Sequence, residues 1–184
     1  MGGVPSGSPP QWRAGPALSV EDLGGTRQVG IFMIQVEIPG RGVMELSHAV
    51  FDFNGTLALD GALLPGVADD MARLSAVLSC VLVSADTHGT LARVGQGLGC
   101  PLHVVTRGED KAILVEQLPG SVVAIGNGQN DWAMFQAAAL SIAVLGPEGA
   151  SGRTLAAADV VVRDVHDAFG LLLDPTRLVA TLRM

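Results

Sequence analysis

Several polar residues in this sequence have the chemistry to accept or hold a phosphoryl group, and Asp52 is the first of them. It ends a short apolar run, and Gly55 follows it after two intervening residues. A carboxylate at the end of a strand can act as a nucleophile and form an acyl phosphate, which splits one transfer into two easier steps. Because Gly55 lets the backbone turn closely, the amides that follow Asp52, at Phe53 and Asn54, can face phosphate oxygens.

Three residues further along the chain extend this chemistry. Ser84 can donate a hydrogen bond to the same phosphate, and Lys111 opens a helical pattern, where its ammonium and the helix N-terminus both favour an anion. Asp131 joins Asp52 as a second carboxylate, which suits Mg²⁺. Taken singly, each residue is more often structural, since a strand-end aspartate commonly caps a helix and a lysine usually lies at the surface. Their combination and order in the chain indicate a phosphoryl-transfer site.

Alternating strand and helix patterns must position these residues. Short apolar strands are predicted at residues 49–53, 80–83, 102–105, 122–125, 142–145 and 160–162. Helical patterns are predicted at residues 65–78, 87–98, 109–118, 131–139, 149–157, 165–173 and 176–182. This alternation predicts an α/β fold with a doubly wound, mainly parallel, Rossmann-like sheet and helices on both of its faces.

The N-terminal part of the sequence is patterned differently. Residues 1–28 are rich in Gly, Pro and Ser and predict a disordered tail, whereas residues 29–184 predict a single domain. Strands predicted at residues 31–38 and 43–46 flank the turn residues 39–42. This arrangement predicts a short β-hairpin ahead of the sheet.

A parallel sheet gives the polar residues a common location. In such sheets ligands bind in the crevice beyond the carboxyl ends of the strands. The predicted strands place Asp52, Ser84, Thr106, Gly126 and Asn127 at or just after these ends. We therefore expect these residues to meet around one crevice.

The composition narrows the classes of protein to consider. With 48% apolar and 16% charged residues, the chain is expected to fold. A net charge of −7 disfavours nucleic acid as a partner, and the lack of an apolar run of about 18 residues predicts no membrane-spanning helix. The two cysteines, Cys80 and Cys100, are predicted to be buried reduced thiols in a cytoplasmic protein.

In its motifs the sequence resembles the haloacid dehalogenase superfamily. The resemblance runs from about residue 33 to the end of the chain and is most specific over residues 109–146. It is similar in particular to the phosphorylation domain of P-type ATPases and to small soluble proteins of that type. Four segments carry the resemblance: VFDFNGTL, VLVSAD, EDKAILVEQL and AIGNGQNDWAMFQAAALSIAVLG.

The resemblance implies an Mg²⁺-dependent phosphohydrolase or phosphotransferase that forms an aspartyl-phosphate on Asp52. It implies that Ser84 and Lys111 are catalytic residues that bind the phosphate, together with the backbone at Phe53 and Asn54. These assignments follow from matching the family's motifs to the positions of this sequence.

The implied Mg²⁺ site consists of Asp52, the backbone carbonyl of Asn54, Asn127 and Asp131. Two of these residues depart from the family's pattern. Asn54 replaces an aspartate that serves as general acid, and an amide cannot fill that role. Asn127 replaces a common aspartate, which keeps an oxygen ligand but removes a negative charge. The sequence therefore predicts slow turnover or a substrate whose leaving group needs no proton, and weakened binding of Mg²⁺.

The spacing of the motifs leaves no room for a cap domain between Asp52 and Ser84 or between Ser84 and Lys111. A capless site is open, which allows a small phosphorylated substrate, a bulky substrate, or a lid from another subunit of a homo-oligomer. His88 is a candidate proton donor in place of the missing acid, although a partly exposed loop histidine is the more ordinary interpretation.

Two other functions stay open at this point. A 2-haloacid dehalogenase also lacks the second aspartate, but it needs a cap to bury its substrate. A non-enzymatic module that binds phosphate or Mg²⁺ and signals to a partner would keep the same residues without turnover.

Overall fold

A six-stranded sheet forms the centre of the part of the chain that the structure describes, which is residues 33–85 and 97–184 of a computed structural model. Numbered along the chain and listed in their order across the sheet, its strands are β10 (Val160–Val162), β9 (Leu140–Val144), β8 (Val122–Gly126), β3 (His48–Asp52), β6 (Ser79–Ser84) and β7 (Leu102–Val104). Every neighbouring pair of these strands is parallel, which confirms the predicted sheet.

Two small hairpins, one 3₁₀ turn (Gln129–Asp131) and six α-helices that lie wholly within the described ranges accompany this sheet. The hairpins pair β1 (Ile34–Ile38) with β2 (Gly42–Leu46), and β4 (Ala58–Leu59) with β5 (Ala62–Leu63). The helices are α1 (Val67–Leu74), α2 (Gly108–Gln117), α3 (Trp132–Ala137), α4 (Gly152–Ala157), α5 (Val165–Leu173) and α6 (Pro175–Leu182). The predicted tail at residues 1–28, the start of the first predicted strand and most of the predicted helix at 87–98 lie outside the described residues.

Alternate residues of β3 pack into two separate cores, one on each face of the sheet. Phe51 belongs to the core shared with the β1–β2 hairpin and helices α1, α5 and α6, and its ring stacks on Phe169 with 5.2 Å between centroids. Val50 belongs to the other core, with Leu114 of α2 and Phe135 of α3. Because side chains alternate across a strand, a strand covered on both faces must be apolar throughout. The helices on both faces confirm the doubly wound fold.

The predicted N-terminal hairpin is present, with β1 and β2 in antiparallel register from Ile34–Leu46 to Ile38–Gly42. Its turn uses Gly40 and Gly42 at φ of 85° and 87°, values that glycine adopts without steric cost. The inward-facing residues of β1 lie in the core, and the Met184 amide donates to the Pro39 carbonyl at 3.1 Å. The turn of the hairpin is therefore hydrogen-bonded to Met184, the last residue of the sequence.

The β4–β5 hairpin was not among the predicted strands. Its two turn residues, Asp60 and Gly61, both have positive φ, at 52° and 77°. Such a pair matches the right-handed twist of a two-residue hairpin, and Asp-Gly is a favoured sequence for it. The hairpin follows the turn that begins after Asp52, and therefore stands near the crevice end of β3.

Some element boundaries differ from the prediction for reasons of pairing and backbone geometry. β9 begins at Leu140 rather than at residue 142, because Leu140 and Ser141 already pair with β8. α4 begins at Gly152 rather than at residue 149, since Gly149 has φ of 77° and Ser151 is extended. Residues 146–151 are therefore a loop after β9, and we refer to them as the β9 loop.

Two simpler expectations can be compared directly with the described residues. Cys80 and Cys100 are both free and buried, as predicted. None of the helices in the described ranges is long and apolar enough to cross a membrane.

Candidate active site

The predicted crevice lies where β3 is flanked by β6 on one side and β8 on the other. Asp52 is the last residue of β3, Ser84 is the last residue of β6, and Gly126 ends β8. Because the three strands are parallel neighbours, these carboxyl ends lie side by side. Asp52 and Ser84 are both buried, so the crevice holds polar groups that are largely withdrawn from bulk water.

Lys111 connects the strand ends into one charged cluster. It lies in the first turn of α2, and its side chain is fully buried. Its Nζ donates to Oδ1 of Asp52 and to Oδ1 of Asp131, at 2.6 Å in both cases. A buried ammonium is stable only when paired, and here two carboxylates pair with it. The cluster therefore carries one net negative charge when all three groups are ionised.

The surroundings of Asp52 in this cluster raise its pKa towards neutral pH. Burial and the repulsion of Asp131 raise the pKa of Asp52 to about 7, although Lys111 and the Phe53 amide act in the opposite direction. Burial alone would lower the pKa of Lys111, but attraction to Asp52 and Asp131 outweighs burial, and this pKa is raised. Lys111 thus stays charged, while Asp52 exchanges a proton close to physiological pH.

Asp131 holds the cluster to the loop after β8. Its Oδ1 accepts from Lys111, and its Oδ2 accepts from the backbone amides of Asn127 at 2.9 Å and Gly128 at 2.8 Å. A side chain at Gly126 would clash here, because its Cβ would lie 2.5 Å from Oδ2 of Asp131. The glycine is required for this close approach. Both oxygens of Asp131 are therefore engaged within the protein.

The turn after β3 places Asn54 at its exposed rim. The Phe53 carbonyl accepts from the amides of Leu57 at 2.8 Å and Ala58 at 3.0 Å, and Gly55 adopts φ of 77°. This local bonding curls the chain directly after Asp52. Phe53 is buried, whereas Asn54 is exposed, so the Asn54 side chain is accessible to a substrate arriving from solvent.

Asn127 forms hydrogen bonds to several segments around the crevice. Its Oδ1 accepts from the Thr56 hydroxyl at 3.2 Å, and its Nδ2 donates to the Gly149 carbonyl at 3.0 Å. Its backbone carbonyl accepts from the Ser151 amide at 2.8 Å, in addition to the bond between its amide and Asp131. Sequence reasoning missed Thr56 and the β9 loop as parts of this site. The signal for Thr56 was its place directly after Gly55.

Four other residues considered from the sequence make no described contact with the charged cluster or lie outside the described residues. Thr106 is exposed between β7 and α2. His88 lies outside the described residues. Phe135 is buried in the core, whereas Trp132 is half-buried and lies under the Arg153 guanidinium, 3.6 Å from the ring centroid.

A divalent cation such as Mg²⁺ would need oxygen donors that converge at the crevice. Within residues 33–85 and 97–184 there is no group of three or more His, Cys, Asp or Glu side chains that could hold a metal ion. The oxygen donors that the sequence predicts for this cation are Asp52, the Asn54 carbonyl, Asn127 and Asp131; one oxygen of Asp52 accepts from Lys111, and the amide oxygen of Asn127 accepts from Thr56. Such a sparse oxygen set fits Mg²⁺, which keeps several of its waters and binds through one or two carboxylates plus a substrate phosphate.

Comparisons of the sequence with known proteins find matches to part of the chain. Residues 112–172 match the family model of haloacid dehalogenase-like hydrolases. An uncharacterized protein of Methanocaldococcus jannaschii is 48% identical over 62 residues, which cover 34% of this chain and 67% of that protein.

Solved structures share the fold. A hydrolase of the haloacid dehalogenase family from Streptomyces avermitilis, described as putative, aligns with a TM-score of 0.57 and 21% identity, over 70% of this chain and 88% of that one. The cobalt-bound deoxy-D-mannose-octulosonate 8-phosphate phosphatase of Haemophilus influenzae aligns with a TM-score of 0.60 and 16% identity. This alignment covers 76% of this chain and 94% of that one. A zinc-transporting PIB-type ATPase aligns with a TM-score of 0.56 and 22% identity, over 65% of this chain and 20% of that one.

Proposed function

Because the chain belongs to the haloacid dehalogenase-like hydrolases, we propose that it is a phosphohydrolase in which Asp52 is the nucleophile. The observation that supports this proposal best is the contact between Asp52 and Lys111, 2.6 Å long and buried at the carboxyl end of the central strand. A buried carboxylate beside a buried ammonium is an arrangement that can receive a phosphoryl group and offset its charge. The phosphatase and the zinc-transporting ATPase among the structural neighbours are consistent with this assignment.

In the first step, an oxygen of the ionised Asp52 forms a bond to phosphorus while the bond from phosphorus to the leaving oxygen breaks. The negative charge on the phosphoryl oxygens faces the Lys111 ammonium, the Ser84 hydroxyl and the backbone amides at Phe53 and Asn54. In the second step, water attacks the acyl phosphate, inorganic phosphate departs and the Asp52 carboxylate is restored.

The leaving group receives little help in this site. Asn54 is the exposed residue of the turn after the nucleophile, and its amide has no acidic proton to donate. The departing oxygen must take its proton from solvent, so substrates with acidic leaving groups are favoured. We therefore assign the chain to slow hydrolysis of small phosphate esters or acyl phosphates.

A divalent cation, with Mg²⁺ as the proposed ion, would be held by Asp52, the Asn54 carbonyl and the Asn127 amide oxygen. When bound, the cation reduces the repulsion between the carboxylate and the incoming phosphate. The set expected from the sequence also includes Asp131. Asp131 accepts from Lys111 through Oδ1 and from two amides through Oδ2, so an acceptor site on Oδ1 would remain for the cation.

The proposal is tested by assaying p-nitrophenyl phosphate with and without Mg²⁺, for the wild type, Asp52→Asn and Asp69→Asn. The Asp69→Asn change removes the same charge from an exposed position on α1 and serves as the matched control. We expect Asp52→Asn to lose more than about hundredfold in rate, because an amide is not a nucleophile, and Asp69→Asn to retain activity. Equal rates for the wild type and Asp52→Asn would disprove the role of Asp52.

A further inference from the structure

Asn127 joins three separate segments around the crevice. Through its side chain it contacts Thr56, in the turn after β3, and Gly149, in the β9 loop. Through its backbone it bonds to Asp131 and to Ser151. The residue is only 7% exposed, so these hydrogen bonds form with little competition from water.

The chemistry of the Gly149 contact requires an amide at this position. A backbone carbonyl can only accept a hydrogen bond, so the group 3.0 Å from it must be the Nδ2 donor of Asn127. This assigns Oδ1 to the side of Thr56, whose hydroxyl is free to donate. An aspartate at 127 would keep the bond from Thr56, but would place a carboxylate oxygen against the Gly149 carbonyl. Asparagine is therefore the residue that satisfies both partners.

The backbone packs tightly around the Asn127 side chain, with glycines at the points of close approach. A Cβ added at Gly55 would lie 2.4 Å from Nδ2 of Asn127, and a Cβ added at Gly146 would lie 2.8 Å from the Gly55 carbonyl oxygen. The turn after β3, Asn127 and the β9 loop thus meet through two glycines in direct contact.

We propose that Asn127 is a positioning residue that fixes the turn after Asp52 against the β9 loop. The turn carries the backbone amides at Phe53 and Asn54, so holding it in place keeps those donors aimed at the phosphoryl position. The catalytic consequence rests on the proposed function, whereas the attachment of the β9 loop does not. This role explains why an amide is used at 127, where a carboxylate would bind a cation more strongly.

The attachment is tested by amide hydrogen exchange across residues 149–155 in the full-length chain, without substrate. Asn127→Asp and Asn127→Ala are compared with the wild type and with Gly152→Ala, a neighbouring glycine whose added Cβ meets nothing within 4 Å. We expect exchange at Ser151 and its neighbours to be accelerated about tenfold or more in both Asn127 variants, from the loss of the buried bond to Gly149. Unchanged protection in Asn127→Asp would overturn the proposal.

Thr56 provides a second, more conservative test. Thr56→Ser retains the hydroxyl that donates to Oδ1 of Asn127, whereas Thr56→Val removes it at constant shape. We expect kcat/KM for p-nitrophenyl phosphate to fall about tenfold in Thr56→Val and to stay within about twofold in Thr56→Ser. Equal losses in the two variants would show that the hydroxyl has no positioning role.

The two experiments separate this inference from the proposed function. If the wild type hydrolyses no phosphate ester but the Asn127 variants still release the β9 loop, the hydrolase assignment fails and the attachment stands. If the wild type is active and the Asn127 variants keep both loop protection and rate, the attachment fails and the assignment stands.

Discussion

Arg107 and Lys111 lie at the same end of helix α2, yet their charges are in opposite environments. The Arg107 side chain is 67% exposed and pairs with Asp110 at 3.0 Å, whereas the Lys111 side chain is fully buried and pairs with Asp52 and Asp131 at 2.6 Å. An exposed ion pair is screened by water and contributes little, but a buried charge becomes costly once its partner is removed. Of these two cations, the one withdrawn from solvent is Lys111, which we propose to face the phosphoryl group.

The pKa values of the two carboxylates that pair with these cations, Asp110 and Asp52, are shifted in opposite directions. The hydrogen bond from the Arg107 side chain lowers the pKa of Asp110. Burial and the charge of Asp131 raise the pKa of Asp52 to about 7. The exposed Arg107 thus forms an ordinary helix-start pair with Asp110, while burial makes Asp52 responsive to pH near neutrality.

The largest effect is expected from removing the buried ammonium. Lys111→Met leaves Asp52 and Asp131 facing each other in a buried site, so we expect a loss of about 3–5 kcal/mol in the free energy of unfolding. The rate with p-nitrophenyl phosphate should fall more than about hundredfold. The measurements are urea unfolding and the phosphatase assay.

Arg107→Met is the matched control for this change, since it removes a cation four positions earlier on the same helix. We expect its stability and rate to be close to those of the wild type. Similar losses in Lys111→Met and Arg107→Met would remove the distinction between the buried and the exposed pair.

The pH dependence gives the next largest effect. Between the ordinary aspartate pKa of 3.8 and the folded value of about 7, the folded chain holds a proton on Asp52 that the unfolded chain releases. The contribution of Asp52 to the free energy of unfolding therefore decreases as pH rises through this window. Hydrolysis, which needs the carboxylate, should increase as pH rises through the folded pKa, with a midpoint near pH 7.

The decisive variant for this pH dependence is Asp52→Asn, whose stability should lack the decline because no proton is exchanged at position 52. Unfolding by urea at a series of pH values from about 5 to about 8 checks this for the wild type and the variant. Identical slopes in the two proteins, or a wild-type rate that is flat across pH 7, would contradict the assigned titration of Asp52.

The smallest of the three effects concerns the rim of the site. Asn54→Asp adds a side chain that can donate a proton, so the rate with an alkyl phosphate should rise about tenfold or more, and the rate with p-nitrophenyl phosphate should change less. The matched control is Asn130→Asp, which adds the same charge at another exposed position. An unchanged rate ratio between the two substrates would show that the missing acid does not limit turnover.

Much of this protein was predictable from local patterns. The strands β3, β6 and β8 were predicted because fully buried parallel strands are continuous apolar runs. The placement of Asp52, Ser84 and Gly126 followed from those runs, since parallel strands bring their carboxyl ends to one edge of the sheet. The single domain at residues 29–184 and the disordered tail at residues 1–28 remain predictions.

Local signals were incomplete where a feature depends on turn chemistry. The β4–β5 hairpin was missed although Asp60-Gly61 is a favoured two-residue turn, because its strands have only two residues each. The start of β9 at Leu140 was missed because pairing with β8, and not periodicity, sets that boundary.

The sequence by itself determined the type of sheet, its two apolar faces and the identity of the groups at its strand ends, because apolar periodicity is a property of the order of residues. Only the tertiary structure decided which of those groups touch. It brought Lys111 between Asp52 and Asp131, and it placed Asn127 between Thr56 and Gly149. Hydrogen bonds act over about 3 Å, and residues separated by 20 to 71 positions reach that distance only when the packed sheet fixes their backbones.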